Sequence, residues 1–347
     1  MILVTGATGF IGSHLLCHLA EKDIFPVAMF RHESNKRKVW KRFKSQFDDA
    51  QKRYDKILWR KADFRDLPSL DAAFKNINYV YHCAGYISLA QSDAKKLLEI
   101  NEKGATYLVD LCLFHSVKKL VYVSSIAALG NDPSQTVIDE NTPWDNNTDK
   151  NPYAYSKYGG EMEVWRATQE GLNAVIVNPG IVLGKNSPIE FLLKRHKNGL
   201  RWYTPGTNAF VNIKDVITVM YELMQSDIKD ERFILVAENW TGKAMVRSLL
   251  IAGNFSPRVF IIPKWFLYLL WVIEHLIELL GIRKRFLTRA IISSQYDHKT
   301  INGNKIKSFI TLNTQTLQIS FSTDLIFNLG PISLFLYNAC SLLDTII

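Results

Sequence analysis

The sequence predicts an α/β protein: a doubly wound parallel sheet followed by a smaller, mostly helical carboxyl-terminal region. Three observations lead there. The apolar run Ile2–Val4 ends in Thr5-Gly6, and apolar residues then recur at Ile11, Leu15, Leu16 and Leu19, which is helical spacing. Short apolar runs and helical patterns continue to alternate through the first half of the chain, as they do when strands are joined by helical crossovers. The run Tyr79–His82 is nearly continuous in apolar character, as expected of a strand covered on both faces.

Bulk composition sets the outer limits. With 347 residues, 47% hydrophobic and 22% charged, the chain can build a large core and is not a disordered polymer. That length allows one large domain or two smaller ones. Lys and Arg number 42 against 33 Asp and Glu, a net charge of +9. Such a balance suits anionic partners or simply an ordinary basic surface; no nucleic acid is expected. Cys17, Cys83, Cys112 and Cys340 lie far apart with no CxxC pair, so neither a zinc site nor a disulfide framework is expected. Reduced, buried thiols fit a cytoplasmic protein. A strand takes the place of an apolar leader at the amino terminus, and no signal peptide is expected.

The first unit reads strand, glycine turn, helix: "ILVTGATGFIG". Gly6 permits positive φ in a tight turn, Gly9 admits a close-lying pyrophosphate, and Gly12 lets the helix approach the strand. The free N–H groups around Thr8, Gly9, Phe10, Ile11 and Gly12 then face the phosphates at a helix amino terminus. Dinucleotide binding follows. The spacing GxxGxxG differs from the ordinary GxGxxG. "TGATGFIG" resembles the extended short-chain dehydrogenase/reductase family, also called the NAD-dependent epimerase/dehydratase family, over residues 1 to about 260. The resemblance implies a Rossmann domain over 1–180, with later strands returning from about 210–240. It also implies a substrate-binding subdomain with the tail over 181–347.

The remaining strands follow in order. A second is expected at Phe25–Phe30, with Arg31 at its carboxyl end and Lys36 and Arg37 close behind. NAD enzymes place an acidic residue there for the ribose hydroxyl. A cationic cluster suits the 2′-phosphate of NADP, although "NKRKVWKRFKSQ" also reads as a solvated basic helix; NADP is favoured, with NAD as the alternative. A third strand, Ile57–Arg60, leads to Asp63 and Phe64; the resemblance gives Asp63 to the adenine amino group, and a turn or N-cap is the other reading. The fourth strand ends in Ala84-Gly85, small enough to pass beside a cofactor, and His82 reads as a packed strand residue. "NEKGATYLVDLC" is a helix that partly matches the family's Asn-x-x-Gly-Thr pattern through Asn101, Gly104 and Ala105. "KKLVYVSS" is a fifth strand ending in Ser124-Ser125, and Ala174–Gly184 is the sixth, carrying Pro179 and Gly180 in an Asn-Pro-Gly segment that the family places near nicotinamide and substrate.

"NPYAYSKYGGEMEVW" holds Tyr153 and Lys157 one helical turn apart, a YxxxK pair. A phenol near pKa 10 is a poor acid–base group at neutral pH. An adjacent ammonium and a cationic nicotinamide are expected to bring it down. Tyr153 is then the proton donor or acceptor, Lys157 also binds the nicotinamide ribose, and Ser125 holds the reacting oxygen. Ser125 lies five residues before Gly130, as the family's catalytic Ser or Thr does. Sugar-nucleotide members typically carry an Arg-Asp pair before a segment like "FVNIKDV"; Asn208-Ala209 stands there instead. The pattern therefore resembles the dihydroflavonol reductase and 3β-hydroxysteroid dehydrogenase branch. An NADP-dependent reductase of a ketone or aldehyde on a small apolar molecule is expected, with an NDP-sugar epimerase or dehydratase, and then a non-catalytic NADP sensor, as alternatives. A homodimer through the Asn101 and Tyr153 helices is implied by resemblance.

The stretch 259–286 is the most hydrophobic in the chain, yet Lys264, Glu274, His275 and Glu278 interrupt it. It reads as an amphipathic helix with Glu274 and Glu278 facing away from Phe266, Leu269, Leu270, Ile273 and Leu276, packed over the substrate pocket or lying on a membrane surface beside Arg283, Lys284 and Arg285. Beyond Tyr296 the chain, rich in Thr, Ser, Ile and Phe, is left unassigned: it reads equally as extra strands, a small helical cap or a second interfacial segment.

Overall fold

A computed structural model describes residues 1–310 apart from 133, 146–149, 188–194, 197 and 280–286. Its centre is a seven-stranded parallel sheet: β1 Ile2–Thr5, β2 Val27–Phe30, β3 Leu58–Lys61, β4 Tyr79–His82, β5 Lys119–Val123, β6 Ala174–Pro179 and β7 Glu231–Leu235. The strands stand in the order β7-β6-β5-β4-β1-β2-β3. The order reverses between β1 and β4, the switch point where a doubly wound sheet opens a crevice.

Alternation along the strands explains both layers. Val4, Tyr81, Val121 and Val175 point to one face, covered by the helices Phe10–Glu21, Lys36–Gln46 and Ile213–Gln225. Leu3, Val80, Leu120, Tyr122 and Ile176 point to the other, covered by Leu67–Phe74, Gly104–Phe114 and Pro152–Gln169. The central strands β5 and β6 are buried at every residue. Each large apolar side chain so buried contributes about 1.5–3 kcal/mol.

The observed β2, β3 and β4 differ from the expected ranges by two residues or fewer. The expected sixth strand is a larger correction: Ala174–Gly184 is two strands. Ala174–Pro179 stays in the main sheet, whereas Ile181–Leu183 pairs in parallel with Thr207–Asn212 in a separate three-stranded sheet completed by Glu238–Thr241. Gly180 makes the break. Its N–H binds Leu235 at 3.0 Å, and a Cβ there would lie 2.6 Å from the Ala209 carbonyl oxygen. Side chains before and after it therefore serve different sheets.

The amphipathic helix exists, at Lys264–Leu279, but its faces divide differently from the expectation at Glu274, Leu269 and Leu276. Glu274 is buried and accepts the Leu287 N–H at 2.7 Å, Leu270 is buried, and Leu269 and Leu276 are exposed. A carboxylate that caps a neighbouring backbone donor can face inward at less cost than one left unpaired. Part of the region left unassigned from sequence is also visible. Thr300–Ile301 pairs in parallel with Val137–Ile138, and Ile306, in the short helix Ile306–Phe309, joins the main core. Arg283, Lys284, Arg285, Cys340 and the rest of 311–347 lie outside the described residues.

Candidate active site

The glycine turn joins two strand ends. Gly6 has φ +62°, and a Cβ on it would lie 2.5 Å from the Ala84 backbone nitrogen. Any larger residue there meets both backbone strain and the β4 loop. Gly9 donates to the Gly6 carbonyl at 2.9 Å and caps the following helix in an extended conformation, with no side chain closing its first N–H groups. A Cβ at Gly12 would collide with the Gly6 carbonyl oxygen. This cradle of backbone donors, kept free of side chains, fits a dinucleotide pyrophosphate. Phe10 sets its ring against His14, with centroids 4.9 Å apart, and Ile11 packs on the core, so both offer backbone to the turn. Thr8 is half-buried beside them.

The groups expected around the adenosine half occupy different states. Arg31 is exposed directly after β2 and lowers the carboxyl of Asp63 electrostatically. Lys36 is already engaged: its Nζ binds Glu33 at 2.6 Å and sits 4.8 Å from the Phe30 ring centre. Asp63 is held below the usual carboxylate range chiefly by Arg65, which reaches its Oδ2 at 2.9 Å, while the Arg65 N–H caps Oδ1 at 3.0 Å. Phe64 is a core residue; its ring lies beside Gly104 and edge-on to His82, centroids 5.4 Å apart. His82 is likewise a packing residue, bonded to Thr5 Oγ1 at 2.9 Å and stacked on Tyr122 at 5.0 Å, with burial pulling its pKa down to about 3.

Ala84 and Gly85 extend β4 into a loop held by Asn101. The Asn101 Oδ1 accepts the Tyr86 N–H at 2.8 Å, and its Nδ2 donates to the Tyr86 carbonyl and to Ser156 Oγ, each at 2.9 Å. Ser156 belongs to the helix that carries Tyr153 and Lys157. The loop beside the cradle and that helix are thereby one unit. Asn101 itself sits in a π-turn, Leu98–Lys103, which leads into the helix Gly104–Phe114.

The Tyr153 helix, Pro152–Gln169, begins with Pro152 in its first turn and Asn151 as a cap that accepts the Ala154 N–H at 2.8 Å. Tyr153 and Lys157 both reach the carboxyl end of β5. The Ser125 side chain acts on the phenol, opposing the effect of burial, and Lys157 Nζ donates to the Val123 carbonyl at 2.9 Å. Tyr155 points elsewhere: it is 40% exposed and meets Trp144 edge-on. Burial dominates the titration of the pair. It holds the Tyr153 phenol above its ordinary value, partly opposed by Ser125, and lowers Lys157 to about 8, opposed by Glu161 and Cys83. In the chain alone burial outweighs Ser125 at the phenol; the lowering expected from Lys157 together with a cationic nicotinamide is a property of the cofactor complex.

Sequence reading missed the layer beneath these residues. Glu161, one turn beyond Lys157, is completely buried. Its carboxylate accepts from the Asn178 amide and, at 3.3 Å, from Arg232. Asn178 Nδ2 also donates to the Ser125 carbonyl at 2.9 Å. Arg232 continues to the Glu140 carbonyl, and Glu140 Oε1 takes the Ile234 N–H at 2.9 Å. The four-residue step from Lys157 to Glu161 was the available signal for Glu161; nothing in the sequence pointed to partners 71 and 92 residues distant along the chain. Pro179 ends β6 next to Asn178, and Gly180 turns the chain away.

The sequence model of the NAD dependent epimerase/dehydratase family matches residues 2–236. Sterol demethylase protein B of Methylococcus capsulatus is 27% identical over 275 residues, covering 76% of this chain and 77% of that protein. Cinnamoyl-CoA reductase 1 of Arabidopsis thaliana is 26% identical over 249 residues, covering 67% of this chain and 69% of the reductase. Among solved structures, Bordetella bronchiseptica WbmG in complex with NAD and UDP superposes with a TM-score of 0.68 at 16% identity, over 94% of this chain and 91% of WbmG.

Proposed function

The chain belongs to the NAD dependent epimerase/dehydratase family, NAD(P)-dependent oxidoreductases of the extended short-chain dehydrogenase/reductase type, and from that premise we propose that it uses NADPH to reduce a ketone or aldehyde on a small apolar molecule, or runs the reverse oxidation. The observation that carries this reading is the meeting of Tyr153, Ser125 and Lys157 at the end of β5.

Gly6, Gly9 and Gly12 with the intervening N–H groups would hold the pyrophosphate, Asp63 the adenine, Arg31 the 2′-phosphate and Lys157 the nicotinamide ribose. Bound NADPH supplies the hydride. The raised phenol pKa suits Tyr153 to the role of acid: it keeps its proton at neutral pH and releases it to an oxygen that becomes alkoxide. The Ser125 hydroxyl, which acts on that phenol, would hold the same oxygen in place. Lys157, four residues along the same helix, is held at the end of β5 by the Val123 carbonyl.

Two features support an apolar substrate over a nucleotide sugar. Ala209, where sugar-nucleotide members typically carry half of a charged pair, is buried against Gly180, and Asn208 is uncharged. The proposal includes a homodimer through the Leu98–Phe114 and Pro152–Gln169 helices, where Leu98 and Phe114 are exposed, and residence in the cytoplasm, where Cys17, Cys83 and Cys112 stay as free thiols.

The test is NADPH consumption with a panel of aldehydes and ketones, with UDP-sugars run in parallel. Turnover of an apolar carbonyl is expected, with Tyr153→Phe lowering kcat by about 10²–10⁴-fold. Conversion of UDP-sugars alone, or a Tyr153→Phe protein that works at the full rate, overturns the proposal.

A further inference from the structure

The helix Lys264–Leu279 presents apolar side chains to solvent along one stripe. Trp265, Leu269, Val272, Leu276 and Leu279 are between 44% and 70% exposed, and they follow one another at steps of four, three, four and three residues. That spacing keeps them on a single face. The opposite face is already used: Leu267 and Leu270 pack with Ile292, and Glu274 is tied to Leu287. A second exposed apolar group lies just before the helix in the chain. Phe260 and Ile261 pair in parallel with Trp202–Tyr203, and the rings of Phe260 and Trp202, both at least 40% exposed, lie 5.3 Å apart.

The charge of this region identifies the surface that it fits. Residues 239–296 contain eight Lys and Arg against two Glu, a net +6 out of the +9 of the whole chain, in about a sixth of its length. One of those glutamates is Glu274, buried; the other, Glu278, faces His275 at 3.9 Å. Lys243, Arg247, Arg258, Lys264 and Arg289 are all exposed. A second copy seated on the same stripe would set one cation-rich region against another. An anionic headgroup layer supplies the opposite charge to a cation-rich region and an apolar depth for the stripe. Sixteen residues rise about 24 Å, short of the roughly 30 Å hydrocarbon layer, and among the described residues no helix is long and apolar enough to cross a membrane.

We propose that Lys264–Leu279, together with Phe260 and Ile261, docks this protein in the headgroup layer of an anionic bilayer, the helix lying along the surface. The test of this docking does not depend on the reaction. The purified full chain is floated with vesicles of phosphatidylcholine alone or of phosphatidylcholine with phosphatidylserine. Capture by the anionic vesicles is expected, with little by the neutral ones and progressive release as salt is raised. A Leu269→Ser/Leu276→Ser protein should bind at least about ten-fold more weakly, as should Arg258→Glu/Lys264→Glu, with melting temperatures near that of the parent because all four side chains are exposed. Absence of capture by anionic vesicles overturns the proposal. So does undiminished capture of the double-serine protein, or a parent dimer in sedimentation equilibrium that the serine substitutions dissolve.

Discussion

Asn178 donates from one amide nitrogen to the backbone carbonyl of Ser125, at 2.9 Å, and to the carboxylate of Glu161. A buried ion pair, Glu161 with Arg232, thereby reaches the strand end where Ser125 meets Tyr153. One amide thus links Glu161 to the backbone of Ser125.

Removing one partner of that pair should expose its cost. Glu161→Ala leaves Arg232 and Asn178 without their acceptor, and a loss of about 3–5 kcal/mol in urea unfolding is expected. Glu161→Gln keeps an acceptor oxygen and should lose less. A Glu161→Ala protein as stable as the parent would show that the pair adds nothing to the fold.

Arg31 and Lys36 should contribute unequally to NADP preference. Arg31 stands exposed after β2, whereas Lys36 is occupied by Glu33 and the Phe30 ring. Arg31→Ala should raise KM for NADPH about ten-fold or more, the worth of a charge-assisted hydrogen bond, and leave KM for NADH nearly unchanged. Lys36→Ala should have a smaller effect. Equal losses with both cofactors would remove Arg31 from 2′-phosphate recognition.

Lys157 should leave a signature in stability against pH. Its folded pKa, about 8, lies below the ordinary lysine value near 10.4, so between these values the unfolded chain binds more protons and the lysine's contribution to stability rises with pH. Below pH 8 the buried ammonium carries its full desolvation cost. The stability of Lys157→Met minus that of the parent should therefore shrink by about 3 kcal/mol from pH 8 to pH 10.5. A pair of parallel curves over that range would mean that Lys157 titrates normally.

The glycine turn should tolerate no side chain. Gly6→Ala imposes a Cβ on a backbone at φ +62° and against the Ala84 nitrogen, with an expected loss of about 1–3 kcal/mol and of NADPH binding by fluorescence titration. Gly12→Val, which strikes the Gly6 carbonyl, should act in the same direction. A Gly6→Ala protein that binds NADPH like the parent would place the cofactor elsewhere.

The sequence by itself determined the parallel sheet, the glycine turn and the YxxxK pair, because these are local patterns: short continuous apolar runs between helical stretches, a turn that needs glycine, and a four-residue helical step. It also marked Ser125, whose place at a strand end follows from the apolar run before it. Tertiary structure alone decided the rest. The split of the sixth strand at Gly180 goes with a bond to the Leu235 carbonyl and the close approach of Ala209, and the inward turn of Glu274 depends on a donor from Leu287. The partners of Glu161 come from Asn178, on β6, and Arg232, on β7. Whether a charge is buried or solvated is set by groups brought near it in space, and spacing along the chain carries no record of them.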